Sequence, residues 1–302
     1  RDADGSQTHR PGQRTRKSRL DSRLYAVDAS GGTEEWNVET DDAIFSSPTV
    51  ADGTVYFGND NGRVYALDAD EGTELWNITG ADAGPSSPTV ADGKVYIGGM
   101  GFRASESGPA PVSTGVLRAV NASDGTGVWK VAVPDGQVRS SPTAADGKVY
   151  VGTQDGNAYA FNASDGSQLW SFETKRGFLS SPTVVDGTVY IGSSDGNLYA
   201  LDASDGTEEW RFEAGDAVDS SPTVVDGIVY FGAGVGSTNG AVYALSASDG
   251  TEEWSFETGD DVISSPTFAG GTVYVPYIHS LHALDASDGS ERWSFRTVNT
   301  VS

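Results

Sequence analysis

Seven tryptophans recur along the chain at spacings of 39 to 53 residues, and each closes a near-copy of one segment. The clearest copy runs from Ser180 to Trp210, with the sequence SSPTVVDGTVYIGSSDGNLYALDASDGTEEW. Self-similarity at a period of about 40 residues is typical of architectures in which each repeat packs against its neighbours. We therefore predict that the repeated tryptophans pack between adjacent units; they are Trp36, Trp76, Trp129, Trp170, Trp210, Trp254 and Trp293.

Each repeat divides into four short apolar runs that are separated by turn residues. The runs are rich in β-branched and aromatic residues and partly alternate with polar ones, which indicates β-strands. The connections contain Asp-Gly pairs, such as Asp186-Gly187 and Asp195-Gly196, and these favour tight hairpin turns. No stretch has a sustained helical period, so the sequence predicts an all-β chain of antiparallel units.

The proline of the SSPT motif predicts how the four strands are ordered. Proline cannot donate a ladder hydrogen bond, so its strand belongs at a sheet edge. Four-stranded units with such an edge at the axis favour a β-propeller. We name its strands A, innermost, to D, outermost. The stretch Leu24–Trp36 supplies only strands C and D, which predicts six complete blades plus a half-blade in an imperfectly closed seven-bladed ring. A solenoid of stacked hairpins is the structural alternative.

Composition and charge predict the domain organisation and exclude some partners. Residues 1–22 are polar and Arg-rich, and we expect a disordered basic segment there, followed by a single domain over residues 23–302. The net charge of −24 disfavours nucleic acid and anionic membranes as partners, and we expect a monomer without direct membrane insertion. The acidic, cysteine-free composition is similar to that of proteins from salt-loving organisms, so we expect molar salt to stabilise the fold.

The segment Ala200–Trp210 has the pattern A-x-D-A-x-x-G-x-x-x-W, which resembles the repeat of pyrroloquinoline-quinone-like (PQQ-like) β-propellers. The resemblance extends over nearly all of residues 24–293. That family includes both quinoprotein dehydrogenases and non-enzymatic scaffold lipoproteins, and the chain looks closer to the scaffold type. The resemblance implies a propeller fold and export to the cell surface or outside the cell, although the absence of cysteine is compatible with the cytoplasm as well.

The features that the resemblance associates with enzymatic members are absent from this sequence. Those dehydrogenases have a vicinal cysteine pair and a bound calcium, whereas this chain has no cysteine. No motif anchors a set of calcium ligands, so we expect no catalytic residue, no metal and no cofactor. A PQQ- and calcium-dependent alcohol or sugar dehydrogenase, or a degenerate relative, is the alternative. A third possibility is the ectodomain of a longer, membrane-anchored chain.

Differences among the repeats point to the residues that could carry the function. Two insertions, over residues 99–115 and 232–241, fall between strands B and C, and the D-to-A links open on the same face of a meander. Loops carry binding functions more often than scaffolds do, although tolerated surface insertions would look the same. We predict that this rim binds a protein partner or a small polar ligand. Its candidate residues are Phe45, Arg103, Glu106, Arg139, Lys175, Arg176 and Asp219.

Overall fold

The computed structural model describes residues 22–78, 86–103, 112–134, 136–234, 240–277 and 280–296. These residues form 26 β-strands, and they include no helix that could cross a membrane. The strands group into one two-stranded sheet, called the half-blade below, and six four-stranded sheets, called blades 1 to 6. Apart from Ser22, the predicted disordered segment lies outside the described residues.

Each four-stranded sheet is an antiparallel meander whose strands follow one another in chain order. The half-blade contains β1 (Arg23–Val27) and β2 (Glu34–Glu39). Blades 1 and 2 contain β3 (Thr49–Ala51), β4 (Thr54–Gly58), β5 (Val64–Asp68), β6 (Glu74–Ile78), β7 (Thr89–Ala91), β8 (Lys94–Arg103), β9 (Val112–Asn121) and β10 (Gly127–Val133). Blades 3 and 4 contain β11 (Thr143–Ala145), β12 (Lys148–Gly152), β13 (Asn157–Asn162), β14 (Gln168–Glu173), β15 (Thr183–Val185), β16 (Thr188–Gly192), β17 (Asn197–Asp202) and β18 (Glu208–Glu213). Blades 5 and 6 contain β19 (Thr223–Val225), β20 (Ile228–Ala233), β21 (Ala241–Ser246), β22 (Glu252–Glu257), β23 (Thr267–Ala269), β24 (Thr272–Tyr277), β25 (Ser280–Asp285) and β26 (Glu291–Arg296).

The inner edge of each blade is the strand that follows the SSPT proline, as the sequence predicts. In blade 4 the order β15-β16-β17-β18 places β15 at one edge, and the inner strands of successive blades are neighbours from β3 to β23. Strand A is shorter than its apolar run, since β15 begins only at Thr183. Of the two preceding serines, Ser180 accepts a hydrogen bond from the Gly192 amide of its own blade, whereas the Ser181 amide donates to the Ser221 Oγ of the next blade. The described residues therefore form a β-propeller of six complete blades and a half-blade.

The A–B turns confirm the prediction that Asp-Gly pairs form tight hairpin turns. Asp186 and Gly187 both have positive φ, 50° and 83°, which suits a two-residue hairpin turn. At the C–D turn only the glycine is left-handed, with φ of 78° at Gly206. There the Asp202 carboxylate accepts hydrogen bonds from the Ser204 hydroxyl and amide, and these bonds lower the pKa of Asp202. At the C–D turn, hydrogen bonds to the aspartate side chain therefore stabilise the backbone, whereas the A–B turn uses two residues with positive φ.

The tryptophans pack between blades, as predicted. The Trp170 Nε1 donates to the Ala203 carbonyl oxygen of the next blade at 3.2 Å. Its ring lies on Gly206, where an added Cβ would lie 2.6 Å from the Trp170 Cδ2. Only a glycine leaves room for that ring. Trp293 of blade 6 differs, because 46% of its surface is exposed.

Candidate functional site

One face of the propeller, called the rim below, is formed by the B–C turns and the D-to-A links. Backbone hydrogen bonds tie each described B–C turn to the link that precedes its blade. The Ser194 amide donates to the Gly177 carbonyl oxygen at 2.9 Å, and the Gly234 amide donates to that of Ala217 at 3.0 Å. The links are therefore held against the turns, and residues from both can form a joint surface.

The described ends of both insertions lie on this rim. Strands β8 and β9 continue the B–C hairpin of blade 2 as far as Arg103 and Val112. Within that extension the Gln137 Nε2, from a D-to-A link, lies 3.0 Å from the Met100 Sδ. The second insertion is tied down by the Thr258 amide, which donates to the Gly240 carbonyl oxygen at 2.8 Å. Glu106 and the middle of each insertion lie outside the described residues.

The structure brings together only some of the candidate residues. Phe45 is 53% exposed in the link before blade 1, and Arg139 is exposed in the link before blade 3. Lys175 and Arg176 share the link before blade 4. Arg176 and Asp219 both line one groove of about 520 Å³. Lys175 lines the neighbouring groove, and Asp195 belongs to both.

The larger groove, of about 670 Å³, lies between the link of Lys175 and the outer strands of blade 4. Its lining combines an aromatic ring pair with charges of both signs. Phe172 and Tyr199 meet edge to face with their centroids 5.2 Å apart. The complete lining is Phe172, Glu173, Thr174, Lys175, Asp195, Asn197, Tyr199, Glu208, Arg211 and Glu213. Four carboxylates face two cations, which disfavours a free anion and favours a ligand that carries both charges.

Asp195 is held in a fixed position at the junction of the two grooves. It accepts hydrogen bonds from the Asn197 amide at 3.1 Å, from the Asn197 Nδ2 at 3.0 Å and from the Tyr199 hydroxyl at 2.9 Å. Burial and this carboxylate raise the pKa of Tyr199 above its usual value. The phenol therefore stays protonated at neutral pH and continues to donate to Asp195. Nearby, the Ser194 hydroxyl donates to Asp219 Oδ1 at 2.7 Å.

Sequence reasoning missed Arg211 and a second polar cluster on the rim. Arg211 lies in an outer strand, where a charged residue is ordinarily a solvated surface group. Asp41, in the link before blade 1, accepts hydrogen bonds from the Asn59 Nδ2 at 2.7 Å and the Tyr65 hydroxyl at 3.0 Å. Burial and Asp41 raise the pKa of Tyr65 to about 12. The recurring strand-C tyrosine with a carboxylate in a facing loop is the signal that could have found this cluster.

His282 occupies the position of that tyrosine in blade 6, as the repeat alignment predicts. Its Nε2 meets the Tyr277 hydroxyl, and its ring stacks on Tyr277 with centroids 4.7 Å apart. Its Nδ1 lies 2.7 Å from Glu291 Oε2, close enough for an ion pair but off the line of a hydrogen bond. His279 lies outside the described residues. His282 therefore packs against an aromatic ring beside an acidic group.

Comparison with protein-family models finds one match, over residues 17–107, 113–234 and 215–301, to the model described as outer membrane protein assembly factor BamB. The factor of that name from Shewanella oneidensis is 40% identical over 60 residues, which cover 20% of this chain and 15% of the relative. The Escherichia coli factor is 35% identical over 65 residues, 18% of this chain and 17% of the relative. The aligned parts thus span less than a fifth of these relatives.

Solved structures match over a much larger share of the chain. The crystal structure of BamB from Moraxella catarrhalis has a TM-score of 0.69 and 21% identity, and the match covers 88% of this chain and 81% of that one. A quinohemoprotein alcohol dehydrogenase from Comamonas testosteroni has a TM-score of 0.74 and 16% identity, covering 92% of this chain and 64% of that one. At such identities these likenesses establish the fold alone.

Proposed function

Because this chain belongs to the PQQ-like propeller family of the outer membrane protein assembly factor BamB, we propose that it is a scaffold and not an enzyme. Its task is to bind a protein partner on the rim, in the cell envelope or outside the cell. Assembly is the work named in the description of its relatives. By analogy, the partner is a protein that this chain holds during a step of assembly.

The observation that carries this proposal is the difference between the two faces of the propeller. On the face opposite the rim, all seven C–D turns repeat one backbone hydrogen bond, in which a glycine amide donates to the carbonyl oxygen four residues before it. Gly206, for example, donates to Asp202 at 2.8 Å. On the rim, the described links and turns differ from blade to blade in charge and in length. A surface that varies over a uniform scaffold is the expected place for specific recognition.

The grooves beside Lys175 and Arg176 supply the chemistry for such a contact. They combine an exposed cation pair, fixed carboxylates at Asp195 and Asp219, and the aromatic pair of Phe172 and Tyr199. Aromatic groups and arginine are enriched where proteins bind one another, and mixed charges complement a polypeptide better than a single ion. A small polar ligand would use the same groove.

The donor set in the described residues does not fit the calcium that accompanies PQQ in quinoprotein enzymes of this fold. No three histidine or acidic side chains among them converge on a point where a metal ion could bind. Oxygen-rich cation sites need several such ligands. We therefore derive no oxidation step from this chain.

The test replaces the basic link with the sequence of a sister link. Lys175→Gly together with Arg176→Asp converts Thr174-Lys175-Arg176 into the sequence of Thr258-Gly259-Asp260, which already folds in this chain. The matched control is Lys148→Thr on the opposite face, where blade 4 has Thr188. Each full-length protein is immobilised in molar KCl and exposed to the envelope fraction of its source organism, and captured proteins are identified by mass spectrometry.

We expect one specific protein to be captured by the wild type and the control but to be lost, by about ten-fold or more, with the sister-link variant. Identical capture by all three proteins would refute the assignment to the rim. Thermal unfolding of each variant, compared with the wild type, verifies that the fold is intact.

A further inference from the structure

The positive charges of this acidic chain are concentrated in one part of its sequence. Residues 94–176 form blade 2 from its strand B onwards, blade 3 and the start of the link to blade 4. They contain eight lysines and arginines against seven aspartates and glutamates, whereas residues 177–302 contain three against 19. Blades 2 and 3 are therefore close to neutral in an otherwise strongly acidic array, and an anionic partner would meet the least repulsion there.

The outer strand of blade 2 departs furthest from the acidic pattern of the other repeats. Strands β18 and β22 each carry three glutamates, in the sequences EEWRFE and EEWSFE. Strand β10, GVWKVAV, is seven residues long and carries no acidic residue. Gly127 and Val128 take the places of the glutamate pair. Charged side chains commonly keep an exposed sheet edge from pairing with other chains, and the carboxylates that do so in β18 and β22 are missing from β10.

Two cations face each other across the ladder of blade 2. The register pairs Lys130 of β10 with Arg118 of β9, whereas the equivalent pair in blade 5 is Ser255 with Tyr243. Like charges directly opposite each other on neighbouring strands repel and destabilise the pairing. An anion that contacts Arg118 would therefore relieve this repulsion.

A groove of about 320 Å³ lies beside this pair of cations. Its described lining is Arg118, Gly127, Val128, Trp129 and Lys130, which includes no carboxylate. Gly127 leaves the groove open, because among the described residues beyond its chain neighbours a Cβ there would meet only the Arg118 Nη2, at 3.7 Å. The space that a glutamate fills at this position in blades 4 and 5 is thus accessible to a carboxylate of another molecule.

The position of the groove at a sheet edge favours a polypeptide over a small anion. In the order β10-β9-β8-β7, strand β10 is the outermost, so the main-chain N–H and C=O groups on its outer side point away from the sheet. An extended segment can bond to such groups while its side chains alternate between the two faces. Val128 is 37% exposed and offers that segment an apolar contact.

We propose that the outer edge of blade 2, formed by β10 and Arg118, is a docking site for an extended, acidic segment of a partner protein. A carboxylate of the segment occupies the place of the missing glutamate and pairs with the Arg118 guanidinium. An aliphatic side chain next to that carboxylate packs on Val128. The described lining residues all lie in β9 and β10, and none belongs to a rim link or a B–C turn, so this proposal is independent of what binds the rim.

The acidic outer strands of a second copy of the chain are the competing occupants. Strand β18 or β22 of another molecule could supply glutamates to β10. Such a contact would join different surfaces of the two copies, and each added copy would expose both surfaces again. Contacts of this kind produce open filaments, whereas a separate partner protein fills the site once.

The test measures the binding of two fluorescein-labelled peptides to the full chain by fluorescence anisotropy. The acidic peptide has the sequence GSEVEVEVSG, and its neutral control is GSQVQVQVSG. Binding is measured at the lowest KCl concentration at which thermal unfolding shows a folded chain, because salt screens ion pairs. We expect saturable binding of one acidic peptide per chain and binding of the neutral peptide that is weaker by about ten-fold.

Two variants of the chain locate the binding site. Gly127→Glu together with Val128→Glu gives β10 the Glu-Glu-Trp sequence that already folds in β18 and β22, and its new carboxylates should weaken the acidic peptide by about ten-fold or more. The matched control is Arg296→Glu, on the exposed outer strand of blade 6, which changes the net charge by the same amount. It gives β26 the terminal glutamate of β18, and its affinity should equal that of the wild type.

A third variant tests the guanidinium itself. Arg118→Tyr introduces the residue that strand C carries in blades 3, 4 and 5. It should weaken the acidic peptide by about ten-fold and leave the neutral peptide unchanged, because only the acidic peptide loses a charge-assisted hydrogen bond. Thermal unfolding of each variant verifies that the fold is intact.

Absence of saturable binding, equal affinity for the two peptides, or equal loss with the β10 variant and the blade 6 control would overturn the proposal. So would displacement of the acidic peptide by inorganic phosphate at the concentration of the peptide, because a small anion would then be the ligand. A chain that is oligomeric by light scattering and becomes monomeric with the β10 variant would also overturn it, since a second copy would then occupy the edge.

Discussion

The contact between blades 3 and 4 and the gap between blade 6 and the half-blade are encoded by the same residue types, yet they differ in burial. Trp170 is 7% exposed, and its ring covers Gly206 of the next blade. Trp293 is 46% exposed, and apart from its chain neighbours no described residue lies within 4 Å of the Cβ position of Gly32, the matching glycine of the half-blade. A repeat therefore buries its aromatic residue only when the following repeat stacks against it.

A repeat's own sequence determines its local structure, whereas the neighbouring repeat determines how much of its apolar surface is buried. Each repeat forms its own turns and meander, because these depend on local sequence and backbone hydrogen bonds. Its hydrophobic stabilisation comes from the interface, because both faces of the middle strands are buried between blades, as in β16 and β17. Matched substitutions at the closed contact and at the gap can test this separation.

The largest expected effect is that of removing the tryptophan. Trp170→Ala should lower the free energy of unfolding by about 3–5 kcal/mol, because it leaves a cavity between two packed blades. Trp293→Ala should cost about 1 kcal/mol or less, since much of that side chain is already in water. Denaturant unfolding in molar KCl measures both values. Equal losses would mean that the gap is closed in solution.

The next effect comes from the glycine that faces each tryptophan. Gly206→Ala and Gly32→Ala both place a side chain at positive φ, 78° and 67°, so each should cost about 1 kcal/mol in backbone strain. Only the Gly206 variant also adds an atom 2.6 Å from the Trp170 ring, which should cost roughly 1–3 kcal/mol more. The difference between the two variants, measured by thermal unfolding, reports the packing alone. A difference of zero would contradict a tightly packed contact.

The smallest effect is expected from alkaline titration of a tyrosine in the closed contact. Burial raises the pKa of Tyr150 to about 12, and its hydroxyl donates to the Ala203 carbonyl oxygen at 3.3 Å. The folded state holds this proton more tightly than the unfolded state, whose phenol has a pKa of about 10. The stability that depends on it is therefore complete below pH 10 and is lost as the pH rises towards 12.

At pH 8, Tyr150→Phe should lower the free energy of unfolding by about 1 kcal/mol, because one hydrogen bond is lost. Above pH 10, the variant protein should lose less stability with rising pH than the wild type does. The stability difference between the two proteins should shrink as the pH rises from 8 to 12. Urea unfolding at a series of pH values measures it, and a constant difference over that range would show that Tyr150 does not titrate between folded and unfolded states.

The propeller could be predicted from the sequence because several local patterns indicate the same four-stranded unit. The Asp-Gly pairs indicate the turns, the apolar runs indicate the strands, and the proline indicates which strand lies at the edge. The length of strand A was overestimated, since SSPTVV looks like one run but β15 covers only Thr183–Val185. Ser180 instead hydrogen-bonds across its own blade, and Ser181 hydrogen-bonds to the next blade. The spacing of residues in the sequence does not predict these partners.

The rim was less predictable, because its grouping of residues depends on how links fold against turns. The sequence could place Arg176 and Asp219 on the same face, and the structure brings them to one groove. It could not assign Lys175 to a different groove, beside Arg211 of an outer strand. Nor could it predict that Asp195 would join the two grooves. These associations arise from tertiary packing between consecutive blades.

The one-way bonding between inner strands also bears on how such an array can change its size. Each interior blade receives the same serine and proline contacts from one side and gives the same contacts to the other. A whole module can therefore be duplicated or excised between blades 3 and 5, and every junction that results joins surfaces that already fit. Blade number in this architecture is open to gene duplication without any new interface having to arise.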